Sequence, residues 1–80
     1  MQKSQIYSEL NAIFCDLFDD DDIKLKPETS AEDVEGWDSL AHINLIVAIE
    51  QKFKIKFKTA EIESLHNVGH LVDVIYSKLN

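Results

Sequence analysis

The sequence has 80 residues, the length of one domain (residues 1–80) with a small core and little room for a deep substrate pocket. Its apolar content of 45%, with only two glycines and one proline, argues against a loop-rich or all-β fold. The formal charge of -7 makes nucleic acid and anionic membranes poor partners; the acidity either attracts a basic protein surface or only keeps the chain soluble.

No stretch has the pattern of a signal peptide or is long and apolar enough to span a bilayer, so we expect a cytoplasmic location. We also expect a monomer. Cys15 is the only cysteine, which excludes an internal disulfide. It lies on an apolar helical face, where a buried, unreactive thiol is favoured over a reactive one.

The first predicted helix runs from Ser4 to Phe18, with Ser4 as a suitable N-cap. Its apolar residues recur at intervals of three and four, as expected for one buried face. These residues are Ile6, Leu10, Ile13, Phe14 and Leu17.

Residues 19–38 form a long predicted connection that opens with four aspartates. This run lacks the spacing of an EF-hand loop, so a solvated acidic bend is favoured over a calcium site. Residues 28–33 can hold a short helical turn. The scattered apolar residues predict that the connection packs over the core; they are Ile23, Leu25, Val34 and Trp37.

The second predicted helix, Ser39 to Phe53, carries two apolar stripes on different sides of the helical wheel. The broader stripe is assigned to the core and contains Leu45, Ile46, Ile49 and Phe53. The other contains Leu40, Ile43 and Val47. It is either an exposed partner site or a face that neighbouring segments cover.

Residues 54–58 alternate lysine with apolar residues, which predicts an extended loop with Ile55 and Phe57 turned inward. Thr59 is a suitable cap for a short helix, Ala60 to Leu65. Asn67 is a suitable cap for the last helix, Val68 to Leu79, whose apolar positions are Val68, Leu71, Val72, Ile75 and Leu79. The predicted fold is all-α: a small irregular four-helix bundle of three main helices and one short one, with a long first loop.

The start of the second helix holds the most informative residues. Gly36 relaxes the backbone before the turn, and Asp38 or Ser39 can take the N-cap position. Nucleophilic catalysis by Ser39 is disfavoured, because Asp38 and His42 on one helix rarely give the required in-line geometry, and His42 is expected to be packed and hydrogen-bonded.

The sequence offers two other chemistries, metal binding by histidines and attachment of a group to Ser39. Metal binding by His42, His66 and His70 is disfavoured, because Asn67 is expected to start a new helix between the last two and no cysteine or carboxylate completes a set. Attachment of a group to Ser39 requires only an exposed hydroxyl on a rigid helix end, which the sequence supplies.

The motif Asp38-Ser39-Leu40, opening an apolar helix that ends in Glu50-Gln51-Lys52-Phe53, resembles the acyl carrier protein family. The likeness covers essentially the full chain, from the acidic bend through the long loop to the stretch at residues 67–75. It implies that the chain is not an enzyme. Ser39 would carry a 4′-phosphopantetheine arm, transferred from coenzyme A by a phosphopantetheinyl transferase, which holds acyl intermediates as thioesters for lipid or fatty acid biosynthesis.

The resemblance also implies roles for neighbouring residues. Asp38 would help the transferase recognise the site. The partner-binding positions would be Leu40, Ile43 and Val47, together with Trp37 packed on the loop or against the arm. The partners would be the transferase and acyl-loading and acyl-transferring enzymes with basic or apolar docking surfaces.

The chain departs from the patterns of known carriers at several positions. Ala41 and Asn44 are uncharged where fatty-acid-type carriers usually have acids, and only Gly36 stands before the motif where peptidyl carriers usually have two glycines. The sequence therefore favours a specialised, freestanding carrier for lipid, polysaccharide or secondary-metabolite assembly. The alternatives are an aminoacyl or peptidyl carrier and a non-covalent helical adaptor that uses the Leu40, Ile43 and Val47 patch.

Overall fold

Residues 2–79 are described by a computed structural model, and over them the chain forms four α-helices and no β-strand. The helices are α1 (Lys3–Phe18), α2 (Ser39–Phe53), α3 (Thr59–Glu63) and α4 (Val68–Leu79). Helix α1 packs against both α2 and α4. The all-α prediction, with one short helix and a long first loop, is confirmed.

The core is built from the three long helices, each of which buries one apolar stripe. Its fully or nearly fully buried side chains are Ile6, Leu10, Phe14, Leu45, Ile46, Ile49, Phe53, Val68, Leu71, Val72 and Ile75. The predicted core stripe of α2 is therefore confirmed in all four positions. Ile13, Leu17 and Leu79 are only partly buried and pack on the edge of this cluster.

Two predicted helix starts are wrong. Helix α1 begins after Gln2, whose N–H donates to Oε1 of Gln5 at 2.9 Å, so Ser4 lies inside the helix and caps nothing. Helix α3 begins at Thr59, because the N–H of Lys58 donates to the Glu61 carboxylate at 2.8 Å and makes Lys58 the cap. The helix ends at Glu63, before the predicted end at Leu65. In both cases a side chain three residues into the helix reaches back to the cap.

The predicted loop between α2 and α3 is present, although its first residue, Lys54, is left-handed and not extended. Its backbone is fixed from α2, where the Glu50 carboxylate accepts the N–H of Phe57 at 2.8 Å. Ile55 and Phe57 are partly buried against the core, as predicted. At the α3 end of this segment, the Glu61 carboxylate also binds Nζ of Lys78 at 2.9 Å. The hydrogen bond from the Lys58 N–H, and to a smaller extent Lys78, holds the pKa of the Glu61 carboxyl below its ordinary value.

The long loop packs over the core, as its apolar residues predict. Val34 is buried, while Ile23, Leu25 and Trp37 are partly buried against the core cluster. The loop is tied to α1 by Asn11, whose side-chain oxygen accepts the N–H of Leu25 at 3.0 Å.

Cys15 lies beneath this tie and is half-buried, not fully buried as predicted. Its sulfur accepts from Nδ2 of Asn11 at 3.6 Å and lies 4.0 Å from the carbonyl oxygen of Ile23. The thiol therefore sits in a polar contact between α1 and the loop.

The loop also closes the N-terminus of α4. The N–H of Val68 donates to the carbonyl of Thr29 at 2.8 Å, and that of Gly69 donates to the carbonyl of Pro27 at 2.9 Å. Asn67 supplies the predicted cap by accepting the N–H of His70 at 2.8 Å. Within residues 28–33, where a short helical turn was expected, the structure has a single hydrogen-bonded turn, in which the Asp33 N–H donates to the carbonyl of Ser30 at 2.9 Å.

Candidate functional site

Ser39 is the first residue of α2, and its side chain is exposed. Asp38 is the N-cap: its carboxylate accepts the N–H of Ala41 at 2.9 Å. This decides between the two predicted caps and leaves the Ser39 hydroxyl without a hydrogen bond to any described residue. Gly36 has φ +88°, a backbone conformation that residues with a side chain rarely adopt, so the turn before the cap depends on this glycine.

Trp37 fixes the approach to this helix end. Its ring packs edge-on against Phe14, with centroids 5.1 Å apart, and lies 6.4 Å from the ring of Phe18. Its indole N–H donates to Nδ1 of His42 at 3.2 Å, and the two rings stack 6.0 Å apart. The prediction that His42 is packed and hydrogen-bonded is confirmed.

The Trp37–His42 pair is the feature that sequence reasoning missed. With Asp38 as the N-cap, Trp37 occupies the position before the cap and His42 the fourth position of the helix. These are the two positions of a hydrophobic staple, a contact that fixes the angle at which the chain enters a helix. That spacing is a signal that could have revealed the pair.

An open cleft of about 500 Å³ lies beside Ser39, between the start of α2 and α3. Its lining is mixed, with apolar groups next to histidine and acidic side chains. The lining residues are Ala31, Trp37, Asp38, Ser39, His42, Ile43, Ile62, Glu63, Leu65 and His66. The cleft is large enough to take part of a linear group attached at Ser39, and its mixed walls suit amide and methylene groups.

The exposed face of α2 carries the second stripe. The exposed fractions of Leu40, Ile43 and Val47 are 70%, 58% and 46%, so neighbouring segments do not cover this face. Trp37, predicted to belong to the same partner site, is partly buried against the core and also lines the cleft. The apolar patch is therefore Leu40, Ile43 and Val47.

The structure also bears on serine catalysis and on metal binding, the two chemistries that the sequence disfavours. No hydrogen bond joins His42 to Ser39 in the described residues, and Nδ1 of His42 is occupied by the Trp37 indole. Over residues 2–79, no three histidine, cysteine or acidic side chains are grouped so that they could hold a metal ion. Within the same range no helix combines the length and the apolar character needed to cross a membrane.

Comparison with known proteins agrees with this arrangement. The family model described as a phosphopantetheine attachment site matches residues 8–75. An acyl carrier protein from Thermosynechococcus vestitus is 36% identical over 80 residues, which cover 99% of this chain and 98% of that protein. The chain belongs to the acyl carrier protein family.

Two further relatives support the same conclusion for this carrier. An acyl carrier protein from Clostridium acetobutylicum is 33% identical and covers 88% of the chain. The solution structure of a holo acyl carrier protein from Geobacter metallireducens has a TM-score of 0.86 and 51% identity, and covers 91% of this chain and 84% of that one. The carrier is therefore not an enzyme, and its cofactor is covalent 4′-phosphopantetheine.

Proposed function

We propose that Ser39 is the attachment point for 4′-phosphopantetheine, through a phosphodiester on Oγ. The observation that carries this proposal is the exposed serine hydroxyl on the first residue of α2, beside a cleft and free of hydrogen bonds to described residues. The N–H groups of Ser39 and Leu40 also have no partner in the described part of the chain. The positive end of a helix stabilises the negative charge of a phosphodiester there.

The terminal thiol of the arm supplies thioester chemistry, which holds acyl groups in activated form. The contribution of the chain is to position this group. Asp38 caps α2 and so keeps Ser39 at the helix end, and its carboxylate is exposed for recognition by the phosphopantetheinyl transferase. Trp37 and His42 form a rigid wall of the cleft that the arm enters.

The apolar patch of Leu40, Ile43 and Val47 is the surface through which partner enzymes dock. It begins next to Ser39 and continues along α2, so an enzyme that covers it also receives the arm. Ala41 and Asn44 add no charge to this helix. Apolar contact therefore contributes more to docking than charge near the serine.

The pathway that we propose is lipid, polysaccharide or secondary-metabolite assembly, with a freestanding cytoplasmic monomer as the carrier. The single glycine before the motif, Gly36, weighs against an aminoacyl or peptidyl carrier. The exposed patch would also suit a non-covalent adaptor, and the two uses differ in whether they need Ser39.

The test is treatment of the apo protein with coenzyme A and a broad-specificity phosphopantetheinyl transferase, followed by intact mass spectrometry. We expect the wild type to gain one phosphopantetheine and Ser39→Ala to gain none. Ser4→Ala is the matched control, since Ser4 is also an exposed serine in the first turn of a helix, and it should be modified like the wild type. An equal mass gain in Ser39→Ala would refute the proposal.

A further inference from the structure

We propose that the docking surface of this carrier ends in a basic edge, formed by Lys54, Lys56 and Lys58, and that its partner is a protein which presents carboxylates there, next to an apolar contact. This inference rests on the proposed function only for the role of the apolar patch. Helix α2 would then offer an apolar start and a cationic end to the same partner.

The lysines are concentrated in one short segment. Four of the eight lie within residues 52–58, which contain no acid, and the other four are set against all fifteen acids of the chain. A local concentration of one sign on a chain of the opposite sign orients an approaching partner. The basic edge is therefore the part of this acidic protein that an acidic surface would meet favourably.

The basic edge is held in a defined shape. Lys54 is the left-handed C-cap of α2, Lys58 is the extended N-cap of α3, and the residues between them form a short loop whose burial alternates. Ile55 and Phe57 are partly buried, while the three lysines between and beside them are exposed. The Phe57 N–H is bound by Glu50 and the Lys58 N–H by Glu61, each at 2.8 Å, so the lysines project from a fixed backbone.

These lysines are also available. Three other lysines form ion pairs: Lys3 with Asp73 at 2.9 Å, Lys52 with Glu9 at 3.0 Å, and Lys78 with Glu61 at 2.9 Å. No ion pair within 4 Å involves Lys54, Lys56 or Lys58 in the described range 2–79. An incoming carboxylate would therefore gain an ion pair without displacing one already present.

The basic edge continues the apolar patch. From Val47 the exposed row passes one turn along to Gln51 and then reaches Lys54 at the helix end, about 21 Å from Leu40 at 1.5 Å per residue. The only acid in α2 is Glu50, and its carboxylate is bound to the Phe57 N–H. The exposed face of α2 thus changes from apolar to cationic with no free acid between.

A protein fits this surface better than a bilayer or a nucleic acid does. A bilayer or nucleic acid spreads negative charge over an area wider than three lysines and would also face the surrounding acids. A protein can place a few carboxylates on the lysines and an apolar groove on the patch, so each part meets its complement.

The experiment uses the holo carrier and two synthetic amphipathic helical peptides. In both, leucines line the first half of one face; the second half of that face carries glutamates in one peptide and lysines in the other. Binding is measured by titration at low salt and mapped by amide chemical shifts. We expect the glutamate peptide to bind about tenfold more tightly and to shift amides of residues 47–58.

Lys54→Glu/Lys56→Glu should reverse the preference, so that the lysine peptide binds more tightly. Lys24→Glu/Lys26→Glu is the matched control, because it changes net charge equally at two exposed loop lysines that are also separated by one partly buried apolar residue; it should keep the wild-type preference. Equal binding of both peptides, or an equal loss in the control variant, would overturn the proposal.

Two further measurements identify other occupants. Binding to phosphatidylglycerol vesicles that depends on Lys54 and Lys56 would overturn the proposal in favour of a membrane. Dimerisation that depends on Lys54 and Lys56, measured by sedimentation velocity, would overturn the proposal in favour of a second copy of this chain. Every variant is also tested for modification by the transferase. If the wild type gains the arm but binds both peptides equally, only this inference is refuted, whereas absence of the arm in the wild type refutes the proposed function.

Discussion

The indole N–H of Trp37 donates to Nδ1 of His42 at 3.2 Å across the start of α2, and this bond joins the loop to the helix on which Ser39 lies. One partner is the last loop residue before the cap, and the other is one turn into the helix. Because the Trp37 ring also packs on Phe14 and Phe18 of α1, the position of Ser39 is set by the core as well as by the cap.

We predict that this bond stabilises the fold measurably. Trp37→Phe keeps most of the ring contact but removes the N–H, and should lower the free energy of unfolding by about 1 kcal/mol. His42→Leu leaves the indole N–H without a partner and should cost about 1–3 kcal/mol. Urea unfolding of the two single variants and the double variant measures the coupling. If the two effects simply add, the bond does not contribute.

Asp38 is predicted to have two separable roles. Asp38→Ala removes the cap and should cost about 1 kcal/mol of stability. Asp38→Asn keeps an oxygen for the Ala41 N–H, so its stability should stay close to wild type while its rate of modification by the transferase falls. Mass spectrometry measures the rate of modification. If Asp38→Asn is modified at the wild-type rate, the transferase does not recognise the charge of Asp38.

The faces of α2 could be predicted from sequence because periodicity alone decides which residues share a side. The caps of α1 and α3 could not, because Ser4 and Thr59 have the right side chains but the choice was made by Gln5 and Glu61 reaching back from inside the helices. The hydrogen bond from the Leu25 N–H to the Asn11 side chain could not be predicted either, since it joins residues that only the fold brings together.

The two stripes of α2 should respond differently to charge. Ile49 is fully buried, so Ile49→Glu places an unpaired carboxylate in the core and should cost more than about 3 kcal/mol or prevent folding. Val47→Glu should change stability by less than about 1 kcal/mol, because Val47 is exposed, yet weaken transfer to partner enzymes. Thermal unfolding compares them; equal destabilisation would contradict the assignment of the faces.

Glu61 should make part of the stability depend on pH. Its pKa is lowered from 4.5 in the folded state, by the Lys58 N–H first and Lys78 second, so it stabilises the fold above that value and loses this contribution as the pH falls below it. Glu61→Gln should therefore be less stable than wild type at neutral pH, and the difference should shrink on acidification. Glu63→Gln, at an exposed position of α3 that forms no ion pair with a described residue, is the control for the loss of one negative charge.

Gly69→Ala should destabilise the carrier, although alanine normally favours a helix by about 0.5–1 kcal/mol over glycine. A Cβ at this position would lie 2.9 Å from the carbonyl oxygen of Pro27, which is backbone and cannot move aside alone. We expect a loss of about 1–3 kcal/mol in urea unfolding. Ser77→Ala, at an exposed position of α4, should be neutral or slightly stabilising, and a similar gain for Gly69→Ala would contradict the close approach.

The contacts of Pro27 and Thr29 with the first turn of α4 give the carrier an internal reporter of loop opening. The amides of Val68 and Gly69 are bonded to loop carbonyls and not to their own helix, so they exchange with solvent deuterium only when residues 27–29 lift away. Their exchange rates, compared with those of the helical amides of Val72 and Ile75, separate opening of the loop from unfolding of α4. Loading the carrier with different acyl groups would then show, at two amides far from Ser39 in the sequence, whether the cargo loosens the loop or tightens it.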